Sequence, residues 1–148
     1  MKKLFLSLML LVPMMVAAQD SVPMDDRVYI ICDQMPQYPG GKAALSEFLA
    51  ENMQYPESAL QNGVEGRVIC QFVVERDGSR TDIRVVKSDG NAELDNEAVR
   101  LIQLMPPFVP GRVARTNTDV RARCTFPINF SIEKYQEILK IREEKEKQ

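Results

Sequence analysis

The chain contains no histidine among its 148 residues. This absence excludes histidine-based zinc sites, Ser-His-Asp and Cys-His nucleophile systems, and any mechanism with an imidazole base. The sequence also lacks a phosphate-binding glycine loop and a nucleophile elbow. Its acidic groups, such as Asp25-Asp26, are explained by solubility and helix capping. We therefore expect a non-enzymatic protein with no cofactor and no metal.

A surplus of positive charge is missing as well. The chain has 19 basic and 21 acidic residues, a net charge of −2. Removing Lys2 and Lys3 with a leader leaves 17 basic against 21 acidic residues, a net charge of −4. Because neutralising phosphates requires a clustered basic surplus, we expect no nucleic-acid partner.

No apolar run is long enough to cross a membrane. The longest begins at Leu4 and continues for about 15 residues, against the roughly 20 that a spanning helix needs, and Pro13 interrupts it. It follows two lysines and leads to Val16-Ala17-Ala18, small residues typical of a cleavage site. We predict that residues 1–18 are a cleaved signal peptide, giving a periplasmic mature chain that does not span the membrane. An uncleaved anchor is the alternative.

The chain has three cysteines, an odd number, so they cannot all pair with one another. Cys70 and Cys124 lie in apolar alternations, which favours buried thiols that pack as small hydrophobic side chains. A Cys70–Cys124 disulfide and a bridge involving Cys32 remain open. Because a thiol becomes reactive only with a base or a local positive field around it, we do not expect a reactive thiol.

Turn motifs divide the rest of the chain into helices and strands. The Gly40-Gly41 pair releases an extended segment into a helix, Asp77-Gly78 is a strong hairpin signal, and Pro106-Pro107 ends a helix. Residue periodicity between these turns predicts strands at 28–32, 67–75, 80–86 and 119–130, and helices at 42–53, 57–61 and 94–105. A charged helix should occupy residues 131–148.

These elements predict an α+β fold. A strand–helix–strand connection makes the strands at 80–86 and 119–130 parallel, so their common antiparallel neighbour, 67–75, lies between them. The three long strands should therefore have the order 2-1-3, with helices on one face. In this arrangement the strand at 119–130 forms an edge of the sheet.

The sequence from Gln34 to Phe130 resembles the C-terminal domain of the TonB family. The resemblance rests on the Gln37 to Gly41 motif of the Bacteroidetes branch and on four further features: Tyr55-Pro56 before Val64-Glu65-Gly66, the Asp77-Gly78 hairpin, the helix residues Leu94, Glu97, Ala98 and Arg100, and the proline-rich segment around Phe108. The family usually has tryptophan where this chain has Phe108, which keeps an apolar anchor but removes an indole donor. The implied organisation is a leader with a short strand at 19–33, the domain at 34–130 and the C-terminal helix.

The resemblance implies a function for the edge strand. TonB-like domains are understood to capture a short extended segment of an outer-membrane transporter beside this strand, which is β-augmentation. We therefore expect partner contacts at the edge residues Arg121, Arg123, Thr125 and Phe126, with secondary contacts at Ala59, Leu60, Gln61 and Asn62. The two arginines would favour an acidic segment. Together with Pro127, they fit equally well the role of guarding an exposed edge.

Two functional classes remain open from the sequence. The leading one is a periplasmic peptide- or protein-binding module, accessory to TonB-dependent outer-membrane transport, with a transporter or another periplasmic protein as partner. The other is an envelope adaptor that binds cell-wall material or forms a homodimer through its edge strand. The predicted signal and the domain are separated by about 15 residues, which reach about 50 Å at most. We therefore do not expect a complete energy transducer.

Overall fold

A computed structural model describes residues 25–148, so the predicted signal peptide lies outside the described residues. The elements follow the predicted order with boundaries shifted by at most three residues, apart from one added strand. They are β1 (Val28–Tyr29), α1 (Gly41–Asn52), α2 (Glu57–Gln61), β2 (Gly66–Val74), β3 (Arg80–Lys87), α3 (Ala92–Leu104), β4 (Gly111–Val113), β5 (Thr118–Phe130) and α4 (Ile132–Glu146).

The sheet has five strands, four of which lie in the order β1-β5-β2-β3. β2 is antiparallel to both of its neighbours, β3 and β5. The predicted α+β class and the order of the three long strands are therefore confirmed. The long ladder between β2 and β5 pairs every residue from Gly66 to Val74 with a residue of β5.

The short strand β4 was not predicted, and it corrects the expected strand count. Gly111 to Val113 pairs antiparallel with the first three residues of β5. The chain before α1 also pairs with this region, because Gln34 and Arg112 exchange two backbone hydrogen bonds of 3.0 and 2.8 Å. The N-terminal half of β5 is consequently embedded in local pairing.

The strand expected at 28–32 is shorter than its composition predicts. β1 ends at Tyr29, and Ile30 and Ile31 are 75% and 82% exposed. The chain bends here because Cys32 packs next to Gly111 and Ala122, and the following residues pair with the β4 segment. Five consecutive β-forming residues therefore give only two residues of strand.

The core lies between the sheet and the helices. Apolar side chains of α3 and β2 form its centre, and the fully buried large members are Phe72, Leu94, Leu101, Ile102, Val68, Val74 and Ile128. Asn91 begins α3 by accepting hydrogen bonds from the amides of Glu93 and Leu94. The pattern of apolar residues predicted for α3 and for the inner face of β2 is observed.

A buried carboxylate ties α3 to the end of α1. Glu97 accepts a hydrogen bond of 2.8 Å from the backbone nitrogen of Gln54 and two of 2.7 Å from Arg100. Arg100 also donates to the carbonyl of Asn52 at 2.7 Å. The charge is paired and hydrogen-bonded, as a buried carboxylate requires.

The C-terminal helix packs across the end of α1. Arg142 donates to the carbonyls of Ala50 and Met53 at 2.7 and 2.8 Å, where α1 leaves its last carbonyls without helical partners. None of the helices between residues 25 and 148 combines the length and apolar character needed to cross a membrane.

Candidate functional site

The two outer strands of the sheet differ in their capacity to accept another strand. In β3 the register against β2 shifts twice, once near Val86 and once near Asp82, which has a φ of +52°. Each shift adds one residue to β3, and such bulges interrupt the regular row of donors and acceptors that a further strand needs. The β5 side has no such shift in its pairing with β2.

The edge of β5 is open along part of its length, which corrects the expectation of a wholly free edge strand. β1 runs parallel to β5, with Val28 opposite Arg121 and Tyr29 opposite Ala122, on the side away from β2. β4 pairs with the three residues before them. Among the described residues, no strand lies on this side of β5 from Arg123 to Phe130.

Pro127 indicates which backbone groups face the open side. Proline has no N–H to donate, so a strand tolerates it where its nitrogen faces away from the neighbouring strand. Pro127 lies opposite Ile69 of β2, and its nitrogen therefore faces the open edge. Because the facing direction alternates along a strand, the amides of Arg123, Thr125 and Asn129 face the same side. Three donors are available there to an added strand.

One cavity opens at the N-terminal end of this edge. It has a volume of about 420 Å³ and lies between β5, the start of α1 and the proline-rich segment. The ring of Tyr38 lines it and stands 5.8 Å from the Phe108 ring in an edge-to-face contact. We call it the Tyr38 cavity.

A second cavity opens further along the same edge. It has a volume of about 480 Å³ and lies between α1, α4 and the C-terminal part of β5. Its walls include Tyr135, whose ring lies 5.4 Å from that of Tyr55 in the core. We call it the Tyr135 cavity. The open edge from Arg123 to Phe130 and the two cavities together are called the edge groove below.

The helix α1 forms a wall of both cavities. Leu45 lines the Tyr38 cavity, and Leu49 lines the Tyr135 cavity. No residue of α1 is fully buried, although its apolar side packs against the core. The partial exposure of this apolar side is a consequence of the open strip between α1 and β5.

The two predicted binding arginines occupy different environments. Arg121 donates to the Glu75 carboxylate at 2.6 and 3.1 Å and to the carbonyl of Asp26 at 2.8 Å, which holds the segment before β1. The hydrogen bonds from Arg121 keep the pKa of Glu75 below its usual range. Within residues 25–148, the Arg123 guanidinium contacts one carboxylate, that of Asp82 at 3.5 Å, so it has fewer hydrogen-bond partners than Arg121.

The other two predicted edge residues lie on opposite faces of β5. Thr125 is exposed, and its hydroxyl accepts a 3.3 Å hydrogen bond from Gln71. Phe126 is half-buried, with its ring 6.3 Å from the Phe72 ring, and it lines the Tyr38 cavity. Phe126 therefore contacts the core and also forms part of the wall of this cavity.

Comparison with known proteins identifies the family. Residues 51–132 match the model of the Gram-negative bacterial TonB protein C-terminal domain. The chain belongs to the TonB C-terminal domain family. Proteins named TonB from two strains of Helicobacter pylori are 31% identical over 84 residues and 38% identical over 62 residues, covering 57% and 42% of this chain. The matched parts are 28% and 22% of those relatives, so the chain spans less than a third of their length.

Solved TonB C-terminal domains also resemble the chain. The solution structure of the Helicobacter pylori TonB C-terminal domain is 28% identical, with a TM-score of 0.46, over 60% of this chain and 90% of that one. The corresponding Pseudomonas aeruginosa domain is 31% identical, with a TM-score of 0.44, over 54% and 78%.

The predicted secondary contacts of this TonB-family chain lie in α2 and at its end. Ala59 is buried in the core, Leu60 is half-buried, and Gln61 and Asn62 are exposed. The side chains of the two polar residues bond within their own turn, to Glu57 and to the carbonyl of Ser58. Within residues 25–148, neither cavity of the edge groove includes any of these four positions.

The cysteines carry free thiols in this TonB-family fold. Burial raises the pKa of both Cys70 and Cys124 to about 11, so both thiols are protonated at neutral pH. In the described part of the chain, no group of three or more cysteine or acidic side chains is arranged to hold a metal ion.

The sequence did not indicate that α1 and α4 form walls of the edge groove. The apolar stripe of α1 was visible as a core-facing pattern, but periodicity does not distinguish a buried face from the wall of an open cavity. Ile138 and Ile141 of α4 line the Tyr135 cavity, although they belong to a segment rich in charge. The signal that could have indicated them is their spacing next to Tyr135 on one side of the helix.

Proposed function

We propose that this protein is a periplasmic, non-enzymatic binding module that receives an extended segment of an outer-membrane TonB-dependent transporter at the edge groove. The segment adds to β5 as a further strand, next to β1, in an accessory role in TonB-dependent transport. The observation that carries the proposal is the open edge from Arg123 to Phe130, which pairs regularly with β2 on one side and with no strand of residues 25–148 on the other.

The position of β1 supports this mode of binding. The strand β1 of the chain itself pairs with the same side of β5, and this pairing ends at Ala122. An incoming strand that starts at Arg123 continues an existing row of pairing. Main-chain hydrogen bonds then supply affinity without dependence on sequence, as in other strand-addition complexes.

A proline substitution tests the role of the backbone. Thr125→Pro removes an N–H that faces the open edge and leaves the pairing with β2 intact, whereas Thr125→Ala keeps the N–H and removes the side chain. We expect calorimetric titration with peptides from transporter N-terminal segments to show at least tenfold weaker binding for Thr125→Pro and a change below about twofold for Thr125→Ala. Circular dichroism and thermal unfolding establish that both variants fold. Equal binding by two folded variants would remove this edge from the binding site.

We assign the preference for an acidic segment to Arg123, since Arg121 donates hydrogen bonds to Glu75. Arg123→Gln should weaken binding of an acidic peptide more than binding of its neutral analogue, and the difference should fade with salt. Arg121→Gln should instead lower stability. An acidic preference that survives Arg123→Gln would contradict this assignment.

A further inference from the structure

We propose that the edge groove selects its extended segment by two apolar side chains that lie an even number of positions apart in the segment. One enters the Tyr38 cavity and the other enters the Tyr135 cavity. This inference rests on the proposed function, and it adds a sequence requirement to binding that main-chain pairing alone does not impose.

The two cavities lie on the same face of the sheet. Cys124 and Phe126 line the Tyr38 cavity, and Ile128 lines the Tyr135 cavity. Side chains two residues apart in a strand point to the same face, so these three share the face that the helices cover. The exposed Thr125 and Pro127 contribute to the cavities from the strand itself.

Strand geometry then sets the spacing. In a paired strand, a residue directly opposite another one points to the same face of the sheet. A residue opposite Cys124 or Phe126 reaches the Tyr38 cavity, and one opposite Ile128 reaches the Tyr135 cavity. The two residues of the bound segment are therefore two or four positions apart. An odd spacing leaves one of them on the solvent face.

The walls of both cavities are suited to apolar side chains. Leu45 and Phe108 line the first, and Leu49, Met53 and Ile138 line the second. Charged side chains are few: Lys42 contributes to the first cavity, and Lys134 and Glu137 contribute to the second. Aliphatic or aromatic side chains of the segment gain by leaving water there.

The occupant is an extended partner segment, because an extended segment of the chain itself, β1, already pairs with this side of β5. β1 lies against Arg121 and Ala122 and shares no cavity with the edge groove in the described structure. Eight residues of β5, from Arg123 to Phe130, remain. This length fits a single strand with two apolar side chains on its inner face.

Peptides that differ only in spacing provide the test. The probes are labelled eight-residue peptides of one threonine- and serine-rich background, carrying two leucines at spacing two, three or four, and a peptide with a single leucine. We expect fluorescence anisotropy to show that the peptide with one of the even spacings binds at least about tenfold more tightly than the peptide with spacing three. The peptide with spacing three should bind no more tightly than the peptide with a single leucine. Equal binding by all peptides would overturn the inference and leave the proposed function standing. Failure of every peptide to bind would overturn both.

A bulky substitution in the wall of the Tyr135 cavity tests whether one leucine of the peptide binds there. Ser46 is exposed and lines the Tyr135 cavity, whereas Ala43 is exposed on the same helix and lines neither cavity. Ser46→Trp should remove the advantage of the second leucine, and Ala43→Trp should preserve it. The same advantage in both variants would overturn the assignment of this cavity. Sedimentation without peptide must show a monomer, because self-association that Ser46→Trp abolishes would assign the groove to a second copy instead.

Discussion

The β2–β3 turn and Phe108 approach so closely that one methyl group at Gly78 should separate them. Gly78 has a φ of +84°, and its carbonyl accepts a 2.9 Å hydrogen bond from the Phe108 amide. A Cβ at this position would overlap the carbonyl oxygen of Phe108 and lie 3.1 Å from its nitrogen. Because these are backbone atoms, Gly78→Ala must displace the turn or the whole Phe108 segment.

Gly90 offers a matched control for the backbone conformation. Its φ is +87°, and a Cβ there meets nothing within 4 Å. Both alanine variants share the cost of the left-handed conformation, about 1–2 kcal/mol, which a less flexible unfolded chain offsets by about 0.4–1 kcal/mol. Gly78→Ala also loses one hydrogen bond, about 1 kcal/mol, and disturbs the packing of Phe108, about 1–3 kcal/mol. The difference between the variants should be about 2–4 kcal/mol.

Denaturant unfolding measures this difference. Circular dichroism and tyrosine fluorescence can follow the transition, since the chain has four tyrosines and no tryptophan. We expect a lower midpoint for Gly78→Ala with little change in the slope, and a small shift for Gly90→Ala. Free energies of unfolding that agree within about 0.5 kcal/mol, as for ordinary surface changes, would refute the close contact between the turn and Phe108.

Three further predictions concern the core, acid stability and the C-terminal helix. Phe72→Ala should cost about 3–5 kcal/mol in denaturant unfolding, because the side chain is fully buried. The hydrogen bonds from Arg121 hold the pKa of Glu75 below its unfolded value, so the ionised carboxylate stabilises the fold near neutral pH, and this contribution is lost as pH falls through the folded pKa; Arg121→Gln should therefore reduce the loss of stability measured between about pH 6 and pH 3. Arg142→Ala should cost about 1–2 kcal/mol through two lost hydrogen bonds to the end of α1, whereas Lys145→Ala, which breaks an exposed ion pair, should cost less than about 0.5 kcal/mol in the same assay.

Local patterns were sufficient to predict the long elements of the fold. Alternation in β2 and β5 and the apolar stripe of α3 are strong signals, since each extends over nine or more residues. The three residues of β4 form a strand because β5 and the segment at Gln34 lie on either side of them. A strand of this length has no periodicity of its own, so the sequence could not indicate it.

The candidate site was less predictable because long-range pairing defines it. The sequence placed β5 at an edge but could not show that β1 runs along its first part. The separate roles of Arg121 and Arg123 also depend on long-range contacts, because Arg121 donates hydrogen bonds to Glu75 across the sheet and to the carbonyl of Asp26. Two arginines with the same sequence context thus differ through partners that are distant along the chain.

The edge groove combines features that guard an edge with features that favour binding. Pro127 removes one donor, and in the described part of the chain only eight residues of β5 remain open, which limits pairing with arbitrary strands. Main-chain hydrogen bonds alone would therefore give a weak contact to any extended chain. If the two cavities add apolar contacts at fixed spacing, affinity concentrates on segments that match them. The same short, interrupted edge can then resist aggregation and still accept a chosen partner.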